Sequence, residues 1–159
     1  MTLPWIILLA AIATTVFVVL LSREYPSREG SQEWMVRRVG DVVQRVRERQ
    51  PEGLETTHYP HEVTIRWHYA GAMPEKGDMA RIDRLEDRLD ALDDGTQGYL
   101  MFVTTGAGAR TWTWFVKDAP PFMDEVRRRI AREDAGSIDF TSTDDPGWDE
   151  YARMRRSVM

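Results

Sequence analysis

Between Leu3 and Leu21 the chain reads LPWIILLAAIATTVFVVLL, without one Asp, Glu, Lys, Arg or His. A helix rises about 1.5 Å per residue, so about 20 apolar residues cross the roughly 30 Å hydrocarbon core of a bilayer. This run predicts a single transmembrane helix over residues 3–22 and makes everything after it a domain attached to a membrane. Pro4 suits the first helical turn, where its missing N–H costs nothing, and Trp5 stands where an indole meets the headgroups. A cleaved secretory signal would need basic residues before the apolar run and a small-x-small site after it. The opening MTLP has no Lys or Arg, and VVLLSREYPS offers no such site, so the anchor is expected to be retained. Arg23, Arg28, Arg37 and Arg38 all follow the span. The positive-inside rule then puts the amino terminus outside and the C-terminal domain in the cytoplasm, in the cytoplasmic (inner) membrane of a bacterium.

Within the span, Ala10 with Thr14 and Ala11 with Thr15 form overlapping small-x-x-x-small pairs. Such pairs let a second helix approach closely, which makes these four residues candidates for binding an integral-membrane partner. The span has no strong axial ligand for a haem or chlorophyll and no proton-relay carboxylate.

The 159 residues fit one domain beyond the anchor. With 21 Lys+Arg against 26 Asp+Glu the net charge is -5, which disfavours bulk nucleic-acid binding. The absence of cysteine excludes disulfides, thiolate metal sites and a cysteine nucleophile.

Residues 23–30 read as a linker broken by Pro26 and Gly30, and residues 31–159 as the cytoplasmic domain. Met35, Val39, Val42, Val43 and Val46 recur at helical spacing, predicting a juxtamembrane helix over 31–50 whose basic face lies near anionic lipid headgroups. Val63, Ile65, Trp67 and Tyr69 alternate with polar residues as in a strand, and Ile82, Leu85, Leu89 and Leu92 return to helical spacing. Tyr99–Thr105 and Arg110–Val116 flank a Gly-Ala-Gly-Ala tip, predicting a hairpin; Pro120 and Pro121 open another helix, and Ser137–Thr141 is a short last strand. Asp145 is expected to cap a final helical turn with Pro146 at its first position, Trp148 and Tyr151 facing one way as a structural clasp. The order from Val63 onward is β-α-β-β-α-β, so the fold class is α+β: a ferredoxin-like sheet with one extra preceding helix. Residues from Glu55 are expected to supply a complete core without the preceding segment.

The stretch MPEKGDMARIDRLEDRLDALDDGTQGYLMFVTTGAGARTWTWFVKD, followed by DDPGWDEY, resembles domain of unknown function family 695 over about residues 66–151. The likeness rests on the Ala72-Met73-Pro74 turn, the acidic Leu85/Leu89 helix, the hairpin from Thr105-Gly106 to Arg110-Thr111-Trp112, and Asp145-Pro146 with Trp148 and Tyr151. It implies a ferredoxin-like domain, in some cases beside a ribonuclease-regulator domain, and supplies no catalytic residues.

The candidate chemistry is thin. His58 and His61 have a spacing that a metal could use with Glu62, but THYPHE reads more simply as a loop entering a strand. Asp93-Asp94-Gly95 and Asp144-Asp145-Pro146 read as turns and caps before they read as acid-base pairs. Gly106 to Ala109 lies between two strands and lacks the following helix of a phosphate loop. Trp112 and Trp114 share one face of their strand and are either core or an exposed aromatic platform for a partner. No catalytic residue, cofactor or metal is expected. The expected function is that of a non-catalytic, single-span accessory or scaffolding subunit of a larger membrane complex, energy-transducing complexes included. The alternatives are a membrane-tethered regulator of RNA-processing machinery and, last, a hydrolase using the acidic clusters.

Overall fold

The computed structural model describes residues 34–130, 134 and 137–159. The expected span 3–22, with Ala10, Ala11, Thr14 and Thr15, and the linker 23–30 lie outside the described residues. Among the described residues no helix is long and apolar enough to cross a membrane.

The segment expected as the juxtamembrane helix is instead a β-hairpin, β1 (Trp34–Val39) and β2 (Val42–Arg47). The helical stripe was a coincidence of periods, since residues four apart also share one face of a strand. Val36, Val39, Val42, Val43 and Val46 are β-branched, and Gly40-Asp41 sits between them as a two-residue turn with Gly40 at φ 60°. A helix would have had to carry that glycine in its middle.

β3 (His61–His68) follows, then α1 (Lys76–Leu89), β4 (Gly98–Gly106), β5 (Ala109–Val116), α2 (Ala119–Arg129), β6 (Ile138–Asp144) and α3 (Asp149–Val158). From β3 onward this is the expected β-α-β-β-α-β order. The α1 start is closed by a capping box, in which Glu75 and Asp78 reciprocally satisfy first-turn N–H groups. Pro120 and Pro121 lie in the first turn of α2, and a short 3-10 turn (Asp90–Leu92) extends α1.

The six strands form one antiparallel sheet in the order β1-β2-β4-β5-β3-β6. The hairpin β1-β2 continues the sheet beyond β4, pairing Val43–Val46 with Phe102–Thr105. A core beginning at Glu55, as expected from the sequence, is therefore incomplete: it would strip β2 from β4 and remove Val46, which is fully buried. The hairpin tips also meet, because a Cβ on Gly106 would stand 2.3 Å from the Asp41 carbonyl oxygen.

Each face of the sheet has its own core. On one, α1 and α2 contribute Ile82, Leu85, Leu89, Phe122 and Val126 against Val63, Ile65, Trp67, Trp112, Trp114 and Val116. On the other, α3 brings Tyr151 and Met154, with Trp148 before it, against Val46, Met101, Phe102 and Phe115. A bulge between Leu100 and Phe102 lets β4 serve both cores, since Leu100 joins the first and Met101 with Phe102 the second. The last element is a full helix of ten residues rather than the single turn expected.

Candidate interaction surface

Two ion pairs lie largely inside the domain, Glu86–Arg110 buried and Arg47–Asp93 with a half-buried carboxylate. Glu86 lies on the apolar stripe of α1 between Leu85 and Leu89, and its Oε1 accepts from Arg110 Nε at 3.0 Å, from Arg110 Nη2, and from Trp112 Nε1 at 2.8 Å. Arg110 Nη1 in turn donates to Thr105 Oγ1 at 2.7 Å. Burial would push the Glu86 carboxyl up, but Arg110, Arg45 and the Trp112 hydrogen bond together hold it below the usual range. Arg47 Nη2 donates to Asp93 Oδ2 at 2.6 Å, and Asp93 Oδ1 accepts from the Leu100 N–H at 3.0 Å. Here burial wins: Asp93 is pushed up to about 6 despite the guanidinium beside it. Glu86, Arg110 and Arg47 are buried, so these carboxylates and cations tie α1, β2, β4 and β5 together and do not face a substrate. Sequence reading missed both pairs, whose partners are 24 and 46 residues apart. The available signals were a charge inside the α1 apolar stripe and arginines alternating with valine along β2.

The acidic doublets are divided among separate tasks. Asp93 holds Arg47, whereas Asp94 Oδ1 accepts from the Thr96 N–H at 2.7 Å, the bond that holds its carboxyl low. Asp144 pairs with His61 Nδ1 at 2.7 Å across the β3-β6 ladder, and Asp145 caps α3. His58 and His61 go to different carboxylates, Glu55 and Asp144, while His68 Nε2 meets Asp139 at 2.7 Å. Among the described residues no group of three or more His, Asp or Glu is placed to hold a metal ion.

Trp112 and Trp114 are 1% and 0% exposed, under the helices. The reading of them as an exposed aromatic platform is thereby corrected, because the strand face they share is the face that α1 and α2 cover. The tip from Gly106 to Ala109 is a hairpin turn, with Ala107 and Gly108 both at positive φ.

The residues read as a clasp do come together. Trp148 is fully buried, stacks on Phe115 at 4.4 Å, and donates from Nε1 to the Tyr59 carbonyl at 2.9 Å. Tyr151 Oη donates to the Arg47 carbonyl at 2.9 Å, tying α3 to β2. Asp145 caps the helix from a distance, its carboxylate accepting from the N–H groups of Asp149 at 2.8 Å and Glu150 at 3.0 Å. Pro146 does not occupy the first helical position as expected; it lies in the turn, and α3 begins after Trp148, whose φ is 57°.

What faces outward is the part of the second sheet face that α3 leaves open. The register lines up one residue from every strand in a single row: Arg37, Gln44, Thr104, Thr111, Arg66 and Asp139. Arg37, Arg66 and Asp139 are exposed, and Gln44, Thr104 and Thr111 are half-buried. The neighbouring row adds Thr64, half-buried, and Thr141, exposed. Short hydroxyls and extended guanidinium groups on a hydrogen-bonded sheet make a rigid polar platform, able to donate and accept along its length. It offers no nucleophile-base pair.

Comparison of the chain with protein-family models, with curated proteins and with solved structures finds no match.

Proposed function

We propose that this chain is a non-catalytic, single-span membrane protein whose cytoplasmic domain, ferredoxin-like and similar to domain of unknown function family 695, braces a larger membrane complex as an accessory subunit. The observation that carries the reading is the polar row from Gln44 to Asp139, a rigid surface spanning five strands, in a chain whose Glu86 and Asp93 hold arginines in place. The uncharged run from Leu3 to Leu21 supports the membrane location, and the small residues Ala10, Ala11, Thr14 and Thr15 supply a face on which a partner helix packs. Such a subunit binds through two places at once, the span and the sheet row, so that each raises the effective concentration of the other.

The test is copurification from mild detergent with identification of the retained proteins by mass spectrometry, comparing the wild type with Arg66→Glu. Arg66 is exposed, so the variant is expected to keep wild-type unfolding and to lose the retained integral-membrane proteins. A wild-type chain extracted alone, or a variant that retains every partner, would overturn the reading.

A further inference from the structure

Large apolar side chains are exposed at three places among the described residues, Val36 at 46%, Val39 at 47% and Met159. Two of the three belong to one edge strand, and Arg37 and Arg38 stand exposed between them. The hairpin tip from Val36 to Asp41 thus presents valine on both sides of the sheet plane with guanidinium groups alongside, beyond the cover of the helices. We propose that this tip docks on the surface of an anionic bilayer, the valines entering the headgroup region and Arg37 and Arg38 meeting lipid phosphates. The proposal rests on the reading of residues 3–22 as a membrane span.

Charge distribution chooses the lipid surface and sets the orientation. Residues 34–49 carry Arg37, Arg38 and Arg49 on the surface and Arg45 and Arg47 buried, against Asp41 and Glu48, whereas residues 50–159 carry 14 basic and 21 acidic side chains. An anionic leaflet therefore attracts the hairpin and repels the remainder of the domain, and each arginine near such a surface contributes about fivefold in occupancy. Asp41 offsets part of this, lying 3.9 Å from Arg38, whose Nε also donates to the Gly40 carbonyl at 3.0 Å.

The number of residues between the apolar run and β1 agrees. Residues 23–33 separate the apolar run from β1, and eleven residues reach at most about 36–40 Å when extended. Among the described residues the hairpin is the first element of the chain. The rival occupant of an edge strand is a second copy of the same strand, and here charge argues against it. An antiparallel β1-β1 pairing would bring Arg37 and Arg38 of two copies within reach of one another, the like-charge arrangement that blunts strand edges.

The chain has no cysteine, so a single introduced thiol reports on one position. Full-length Val36→Cys and Val39→Cys, each carrying an environment-sensitive fluorophore, would be reconstituted in phosphatidylcholine vesicles with and without phosphatidylglycerol. Thr141→Cys on the opposite edge strand serves as the solvent reference. With phosphatidylglycerol, both hairpin probes should shift to the blue, lose quenching by aqueous iodide and be quenched by lipids spin-labelled near the headgroup, while the Thr141 probe stays in water. Arg37→Glu with Arg38→Glu should reverse the shift, as should high salt. Hairpin probes as water-exposed as the Thr141 probe in vesicles that carry the protein would overturn the docking and leave the span standing. Energy transfer between copies that survives in pure phosphatidylcholine would assign the tip to self-pairing and overturn it as well. Failure of the chain to float with any vesicle would defeat the span reading and the docking together.

Discussion

Replacing Trp148 by alanine tests whether the segment from Asp145 to Tyr151 is a structural clasp. The indole is fully buried, stacked on Phe115 at 4.4 Å, edge-on to Tyr59 at 6.5 Å and to Tyr151 at 6.1 Å. Truncating a buried tryptophan costs about 3–5 kcal/mol. The lost Nε1–H also leaves the Tyr59 carbonyl without its donor, a further cost of about 1–3 kcal/mol where water does not enter. Against a domain stability of about 5–15 kcal/mol, Trp148→Ala should bring unfolding close to ambient conditions. Two companion variants separate the contributions. Trp148→Phe keeps one ring against Phe115, loses the donor and vacates the space of the second ring, so its cost should lie between the hydrogen-bond share and that of alanine. Trp148→Gly removes the Cβ from a backbone at φ 57°, where an L-residue is strained by about 1–2 kcal/mol, and should be less damaging than alanine by about that amount. Urea unfolding of the full chain in micelles, followed by near-ultraviolet circular dichroism, reads all three. An alanine variant within about 1 kcal/mol of wild type would refute the reasoning, because a buried aromatic hub cannot be removed at that cost.

Three further outcomes are expected. Glu86→Ala strands Arg110, which is 3% exposed, and should destabilise the domain by about 3–5 kcal/mol, whereas Glu86→Gln, which keeps an acceptor for Trp112 Nε1, should lose less; denaturant midpoints check the order. Asp93 carries a folded-state pKa of about 6, above its unfolded value, so its contribution favours the fold below about pH 4 and is lost as pH rises through 6. The stability of Asp93→Asn relative to wild type should therefore rise by up to about 3 kcal/mol between pH 4 and pH 7, and a pH-independent difference would contradict it. If residues 3–22 span the membrane as proposed, Ala10→Leu or Ala11→Leu should weaken copurification while membrane insertion survives, and protease added to intact cells should leave the domain undigested.

From His61 onward the architecture was legible because period-2 and period-3.6 patterns are separated by strong breakers, Gly95, the 106–108 tip, and Pro120-Pro121. The hairpin at 34–47 carries a helix-like pattern because a four-residue spacing satisfies both periods, and Gly40, at φ 60° in the turn, is the residue that decides for strands. Trp148 and Tyr151 were legible as a pair, since Asp-Pro followed by two aromatics three apart is a local pattern. Their partners were not: Tyr59 lies 89 residues from Trp148, and Arg47 lies 104 from Tyr151. The polar sheet row was invisible for the same reason, each of its six members being unremarkable in its own strand and adjacent only through register.

A membrane-anchored subunit of something larger, as proposed, travels with its partners. The most direct measurement is the native mass of the full chain extracted from its own membrane in mild detergent, by size exclusion with light scattering corrected for bound detergent. The expected protein mass is well above the 18.4 kDa of the chain and falls toward it when Ala10→Leu and Arg66→Glu are combined. A wild-type protein mass equal to that of one chain, or a chain released from the membrane by alkaline carbonate, would contradict it.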